Sequence, residues 1–168
     1  MRRPSEIALR LIVPILPLLL TACNGGLGGG GGAGGGRVPL SRFEKEVHEA
    51  INDYRDSIGL SRLAWNDDVS EIARSHSVNM ADGDVGFGHG GADDRVERVS
   101  GILEWESISE NVAYSSARSD LADFFLRRWL ESSQHRKNII GRYNTTGVGA
   151  ALNGNGDVYV TQIFVLTD

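Results

Sequence analysis

Ten of the 22 glycines in this 168-residue chain fall between Gly25 and Gly36. A run this rich in glycine behaves as a flexible coil whose ends lie roughly 5–6 Å times the square root of its length apart. It reads as a tether of roughly 20 Å. A phosphate-binding glycine loop would need a strand before it and Gly-Lys-Ser/Thr after it, and the sequence has neither. The tract divides the chain. Residues 38–168 remain for folded structure, 131 in all, which suits one domain with its own core and is too few for two.

What precedes the tract looks like an export signal. Arg2, Arg3 and Arg10 lead into the apolar run Leu11–Leu20, the basic-then-apolar order of a secretory leader. The run is short of the about 20 residues a membrane-spanning helix needs, and Pro14 and Pro17 weaken it further. Leu20-Thr-Ala-Cys23 follows at once. It resembles the bacterial lipobox, in which cleavage exposes a cysteine that receives lipid. The expected organisation is a lipoprotein signal peptide over 1–22, a tether over 23–37 anchored through lipidated Cys23, and one domain over 38–168. Multiple acyl chains would hold a membrane more firmly than the single chain that binds only marginally. The alternative is a secreted protein with a free Cys23.

Charge and cysteine count exclude several partners. Three arginines and one glutamate lie in the first 22 residues, which leaves 14 basic against 21 acidic residues and a net charge of −7 after them. Nucleic-acid binding needs a basic face, so none is expected. One cysteine allows neither an internal disulfide nor a Cys-based zinc cluster.

Periodicity then places the elements. Phe43, Val47, Ala50, Ile51, Tyr54 and Ile58 recur at helical spacing on a helix ending at Gly59, with Ser41 and Glu44 as its capping box. Leu63-Ala-Trp65 reads as a connector. Asp67 or Asp68 caps a second helix with Val69, Ile72, Ala73, His76 and Met80 on one face. Asp82–Gly91 is too glycine-rich for regular structure, and Asp93 starts a short third helix. A fourth begins near Ser119 with Leu121, Phe124, Phe125, Trp129 and Leu130 inward. Val148–Leu152 and Val158–Leu166 flank Asn153-Gly-Asn-Gly156, a hairpin signal. A strand near Ser107–Ala113 completes the sheet. Helices first and strands last argue an α+β fold, with helices packed on an antiparallel sheet.

Several motif-like spacings fail on inspection. His48-Glu-Ala-Ile-Asn52 lacks the second histidine of a helical zinc pair, so His48 reads as a helix-surface residue. Gly86, Gly88 and Gly91 match a dinucleotide-loop spacing without a leading strand or an immediately following helix. No Gly-x-Ser-x-Gly elbow is present. Asn153–Asp157 lacks the glycine and glutamate of a calcium loop and reads as a turn.

Six segments remain: Ala73–Met80, Phe87-Gly-His89, Glu110-Asn-Val-Ala113, Trp129–Ile139 containing Ser132, His135, Arg136 and Asn138, Gly147-Val-Gly149, and Tyr159-Val-Thr-Gln-Ile-Phe164. In this order they resemble the bacterial branch of the CAP superfamily, which includes cysteine-rich secretory proteins, antigen 5 and pathogenesis-related proteins. The resemblance spans about Phe43 to Phe164. It implies an α-β-α sandwich with a central antiparallel sheet flanked by helices and a large cleft, in which members place two histidines and two acidic residues. His89 matches the first histidine and Glu110 the glutamate of the Gly-Glu-Asn motif, whose glycine is here Ser109. Ser132 stands where the second acidic residue falls, and Tyr159 where the second histidine falls. Ser132, His135, Arg136, Asn138 and Ile139 match the bacterial pattern Ser-x-x-His-Arg-x-Asn-Ile instead.

The residues themselves leave the cleft's role open. A carboxylate beside an imidazole favours the charged form of both, so His89 and Glu110 are expected as a pair, with the proton affinity of the imidazole raised. On one continuous helix Trp129, Ser132 and His135 would share a face, with His135 near the C-terminus, where protonation is favoured. His89, Glu110 and His135 then form a polar cluster that fixes loops, a ligand contact, or a three-ligand site for a divalent metal such as zinc. His76, on an apolar stripe, reads as buried and hydrogen-bonded. Arg95 and Arg136 read as surface ion-pair partners. Three functions follow: a lipid-anchored extracytoplasmic binding module for a small apolar ligand, a lipid or a partner protein; a peptidase-like hydrolase using His89 and Glu110; or a structural envelope protein with a vestigial cleft. No compact nucleophile–base pair supports the second.

Overall fold

The computed structural model describes residues 39–117 and 119–167. The segments expected to be a signal peptide (1–22) and a tether (23–37), with Cys23, lie outside the described residues. The elements run α1 (Leu40–Ser57), β1 (Ala64–Trp65), α2 (Asp67–Asp82), α3 (Ala92–Ser100), β2 (Ser107–Ser115), α4 (Leu121–Glu131), α5 (Ser133–Ile139), β3 (Thr145–Leu152) and β4 (Val158–Leu166). The fold is α+β, with helices on both faces of one four-stranded sheet of order β1-β3-β4-β2. The three long strands are antiparallel. The segment expected as a connector, Leu63–Trp65, instead contributes β1, which pairs parallel with β3 and makes the sheet mixed.

Alternation along β4 sorts the two layers. Val158, Val160 and Phe164 point to one face, where they meet Phe43, Val47 and Ile51 of α1, Phe125 and Trp129 of α4, and Ile139 of α5. Ile163 and Val165 point to the other, against Val69, Ile72 and Ala73 of α2 and Val99 of α3. Gly147 and Gly149 lie on that second face and let α2 approach backbone to backbone: a Cβ on Gly149 would stand 2.0 Å from the Arg74 nitrogen.

Several terminus assignments change. Helix α1 starts at Leu40 behind Pro39 with no side-chain cap, so Ser41 and Glu44 form no capping box. Glu44 is drawn inward instead. Its carboxylate accepts from Arg74 Nε and Nη2, each at 2.8 Å, and from the Ala150 N–H at 2.8 Å. Asn66, rather than Asp67 or Asp68, caps α2, its side chain accepting from the Val69 N–H. Helix α3 does follow Gly91 directly, at Ala92, but the element ahead of the loop is a helix, so no dinucleotide site results. His48 is not a surface residue. It is 7% exposed, with Nε2 3.0 Å from the Leu63 carbonyl, and Asn52 binds the Leu63 backbone on both sides, donating to O at 3.1 Å and accepting from N at 2.7 Å. The broken zinc motif thus serves to anchor the chain entering β1.

Candidate functional site

The glycine-rich loop after α2 folds over the sheet face that α2 leaves uncovered. Gly83, in the left-handed region at φ 83°, ends α2, and Gly91, at φ 71°, starts α3. Between them the loop is pinned from beneath: His76 Nε2 lies 2.8 Å from the Gly88 carbonyl. His76 is 3% exposed, as its place on the apolar stripe requires. Burial, and then the charge of Arg95, lower its pKa.

The next residue of the loop, His89, is held by the sheet. His89 Nδ1 stands 2.8 Å from Glu110 Oε1 on β2. Arg95 completes the group. Its Nε donates to Glu110 Oε2 at 2.6 Å and its Nη2 to Oε1 at 2.7 Å, while Nη1 donates to the Gly90 carbonyl at 2.8 Å. The sequence reading of Arg95 as a surface ion-pair partner is therefore corrected: its side chain is 8% exposed. The signal lay in its position four residues before Val99, on the buried face of α3. Burial alone would push the Glu110 carboxyl up. The hydrogen bonds from His89 and Arg95 and the guanidinium charge outweigh it, so the group is held below the usual carboxylate range.

Helix α4 does not continue to His135. Ser132 turns extended, at φ −87° and ψ 119°, and its hydroxyl caps α5 by accepting from the His135 N–H at 3.5 Å. So Ser132 and His135 share no helix face with Trp129, and His135 sits in the first turn of a new helix rather than near a C-terminus. Its proton affinity falls rather than rises: burial, and then the nearby charge of His89, push its pKa down to about 4. Helix α5 is tied to the edge strand. Asn138 Nδ2 donates to the Glu110 carbonyl at 3.1 Å and to Asn111 Oδ1 at 2.8 Å, and Asn111 Nδ2 donates to the His135 carbonyl at 3.2 Å. Glu110 and Asn111 thus face opposite ways, one to the loop and one to α5.

The metal option fares poorly on this geometry. Among the described residues no three His, Cys, Asp or Glu side chains converge as a metal site requires. Both oxygens of Glu110 are already taken by Arg95 and His89, and a bidentate guanidinium neutralises the charge a cation would need.

Beside the ionic cluster lies an aromatic shelf that sequence reading did not assemble. Tyr114 of β2 stands directly across from Tyr159 of β4, the rings stacked at 5.4 Å and 18°. Phe87 of the loop meets Tyr114 edge-on at 5.0 Å. Phe87 is 47% and Tyr114 43% exposed. The period-two signal was present, since Glu110, Val112 and Tyr114 share a face, but only the register with Tyr159 brings the rings together.

The family model described as CAP, the cysteine-rich secretory protein family, matches residues 48–164. The chain belongs to this family. It is 30% identical over 128 residues to the membrane protein YlbC of Bacillus subtilis, covering 73% of this chain and 34% of that one. It is 27% identical to YkwD of the same organism, of which it covers 47%. The chain therefore spans between a third and a half of the curated relatives it matches. Among solved structures it is similar to an extracellular SCP-domain protein of Bacillus anthracis, at 28% identity and a TM-score of 0.64 over 76% of this chain and 41% of that one. It shares the fold of an outer surface protein of Borrelia burgdorferi at 13% identity and a TM-score of 0.61, over 80% of this chain and 99% of that one. Among the described residues of this CAP domain, no helix is long and apolar enough to cross a membrane.

The titrating groups of the cleft set an acid limit on the domain. His135 and His76 are held neutral, so their contribution is complete above the ordinary histidine value of about 6.5 and falls as pH drops below it. Glu110, with its pKa depressed, contributes above about 4.3 and loses that contribution as pH falls through its lower folded value. The urea midpoint should therefore drop steadily from pH 6.5 to pH 4, and His135→Gln should flatten the slope in that interval. An unchanged slope in the variant would show that His135 does not carry it.

Proposed function

We propose that this is a lipid-anchored extracytoplasmic CAP domain that works as a binding module, its cleft holding a small apolar or amphipathic ligand or an apolar segment of a partner protein. The carrying observation is the contrast within the cleft. The ionic groups satisfy one another, with each oxygen of Glu110 engaged by Arg95 or His89, whereas Phe87 and Tyr114 are left open to solvent. A general base must reach the proton it abstracts from substrate, and both oxygens of Glu110 are turned to protein donors instead. Exposed clustered aromatics are what binding surfaces use, since they bring large area at low entropy cost. This favours binding over the peptidase-like reading of His89 and Glu110.

The test sets the two readings against each other. Purified protein should bind an apolar fluorescent probe such as anilinonaphthalene sulfonate. The Phe87→Ala, Tyr114→Ala double variant should weaken that binding about tenfold, while casein turnover stays at the level of buffer. Casein hydrolysis abolished by His89→Ala would instead establish the hydrolase.

The location rests on the leader and on kinship with an extracellular SCP-domain protein and a membrane protein. Lipidated Cys23 would hold the chain to a membrane, with residues 23–37 as spacer. Cys23→Ser should shift the protein from the membrane pellet to the soluble or uncleaved-precursor fraction. Wild-type protein recovered fully soluble with an unmodified cysteine would overturn the anchor.

A further inference from the structure

One corner of this acidic chain is cationic. Residues 132–156 hold Arg136, Lys137 and Arg142 and no carboxylate, although the chain after residue 22 carries 21 acidic residues against 14 basic. All three are exposed. Arg136, which the sequence suggested as an ion-pair partner, makes no ion pair among the described residues, and neither do Lys137 and Arg142. The three stand close together. Arg136 and Lys137 occupy the last turn of α5. The chain then turns sharply, with the Gly141 N–H donating to the Asn138 carbonyl at 3.2 Å and the Tyr143 N–H to the Gly141 carbonyl at 3.0 Å, so Arg142 is held beside the helix end.

Cations at a helix C-terminus commonly serve its free carbonyls. Here that role is filled from beneath. Buried Arg55 of α1 donates from Nη1 to the Ile139 carbonyl at 2.6 Å and the Gly141 carbonyl at 3.1 Å, from Nη2 to the Tyr143 carbonyl at 3.3 Å, and from Nε to the Ser61 carbonyl at 2.8 Å. It has no carboxylate partner among the described residues, so it adds positive charge under the corner. The acids of α1 nearest to it in sequence, Asp53 and Asp56, are engaged by Arg62. The bonds of Arg55 also tie the turn after α1 to the turn after α5, and each turn leaves an isoleucine exposed, Ile58 and Ile140. Unpaired cations beside exposed apolar tips suit a lipid headgroup layer, where the cations meet phosphate and the tips reach the acyl boundary.

We propose that the corner formed by the ends of α1 and α5 docks the domain on an anionic lipid bilayer through Arg136, Lys137 and Arg142, with Ile58 and Ile140 at the contact. Charge complementarity selects the face: the acidic remainder of the domain is repelled by the surface that attracts this corner. The choice of a bilayer rests on the anchored reading of Cys23, which keeps a membrane within reach. Helix α1 has 18 residues and is about 27 Å long, and the chain enters it at the end opposite the corner. Residues 23–37 can span at most about 50 Å, so an anchored chain is long enough to lay the corner on the surface. The aromatic shelf takes no part, so the docking stands or falls independently of the cleft.

The experiment uses the full chain carrying Cys23→Ser, so that no acyl chain contributes, and any leader it retains is common to every variant. Co-sedimentation compares phosphatidylcholine vesicles with vesicles in which roughly a third of the lipid is phosphatidylglycerol. The parent should partition more strongly into the anionic vesicles, and about 0.5 M salt should erase the preference. Arg136→Gln, Lys137→Gln and Arg142→Gln together should lower anionic partition about tenfold, less than the roughly hundredfold of three unopposed cations because the acidic remainder is repelled. A matching thermal melt confirms that the variant is folded. If it melts early, Lys137→Gln with Arg142→Gln should show part of the same loss. Arg42→Gln, Lys45→Gln and Arg98→Gln together change the net charge equally and should leave the preference intact. Equal partition of the parent into both vesicles, a preference that survives the substitutions at the corner, or the same loss in the matched control would overturn the proposal. So would self-association that the corner variant abolishes while vesicle binding stays unchanged, which would assign the corner to a second copy of the chain. Fractionation of Cys23→Ser cells tests the anchor alone, and the vesicle comparison tests the corner alone.

Discussion

Gly149→Ala should abolish the cooperative unfolding of the domain, or lower its stability by more than about 3 kcal/mol, the top of the usual range for overpacking. The added Cβ would meet the Arg74 nitrogen at 2.0 Å, the Arg74 Cα at 2.3 Å and the Ala73 carbonyl carbon at 2.5 Å. These are backbone atoms in the middle of α2, so no rotamer change relieves the contact. Either α2 lifts from the sheet, uncovering Val69, Ile72 and Ala73, or β3 bends away from β4. Both routes open the second core cluster. A loss of that size is a large part of the about 5–15 kcal/mol that holds a domain folded. Gly154→Ala is the matched control, because nothing lies within 4 Å of its added carbon. Urea unfolding followed by far-UV circular dichroism checks both. A wild-type midpoint for Gly149→Ala would mean that α2 and β3 are not packed at this distance.

The same glycine shows what the sequence could and could not disclose. Gly147-Val-Gly149 is visible as part of a family pattern, and β3 itself is visible as a β-prone run before Asn-Gly. That two glycines sit there because a helix crosses them backbone to backbone depends on which face α2 covers, and no local periodicity contains that. The long apolar stripes were legible for the same reason they fold: Phe43, Val47 and Ile51, or Phe125 and Trp129, repeat at the helical period and bury one side. Termini were not, since capping is decided by single side chains that compete with tertiary partners. Asn66 caps α2 in place of its acidic neighbours. Ser132 stops one helix and starts the next, which moved His135 away from the environment that a continuous helix implied. In the cleft, resemblance pointed to His89 and Glu110, and the structure brings them to 2.8 Å. Arg95 stayed hidden because its partner lies on a strand 15 residues away, and charge pairing over that distance leaves no pattern.

Arg74→Ala should cost about 3–5 kcal/mol, the penalty for stranding a buried charge, and more than Glu44→Ala costs. The asymmetry follows from exposure. The Glu44 side chain is 1% exposed and that of Arg74 35%. Without Arg74, the Glu44 carboxylate remains among core residues of α1 and β3 with only the Ala150 N–H, at 2.8 Å, to solvate it. Without Glu44, the Arg74 guanidinium can turn to water and to Glu71, with which it already pairs, so what is lost is the bond to Ala150 and the packing of the side chain. An unsatisfied buried N–H costs about 1–3 kcal/mol. The pair also joins α1 to α2 around β3, so its loss should loosen both layers together and leave the transition a single step. Urea midpoints of the two single variants, compared at pH 7 with equal m-values, measure the difference. A smaller loss for Arg74→Ala than for Glu44→Ala would show that water reaches Glu44 and that the ion pair is not the clasp between the layers.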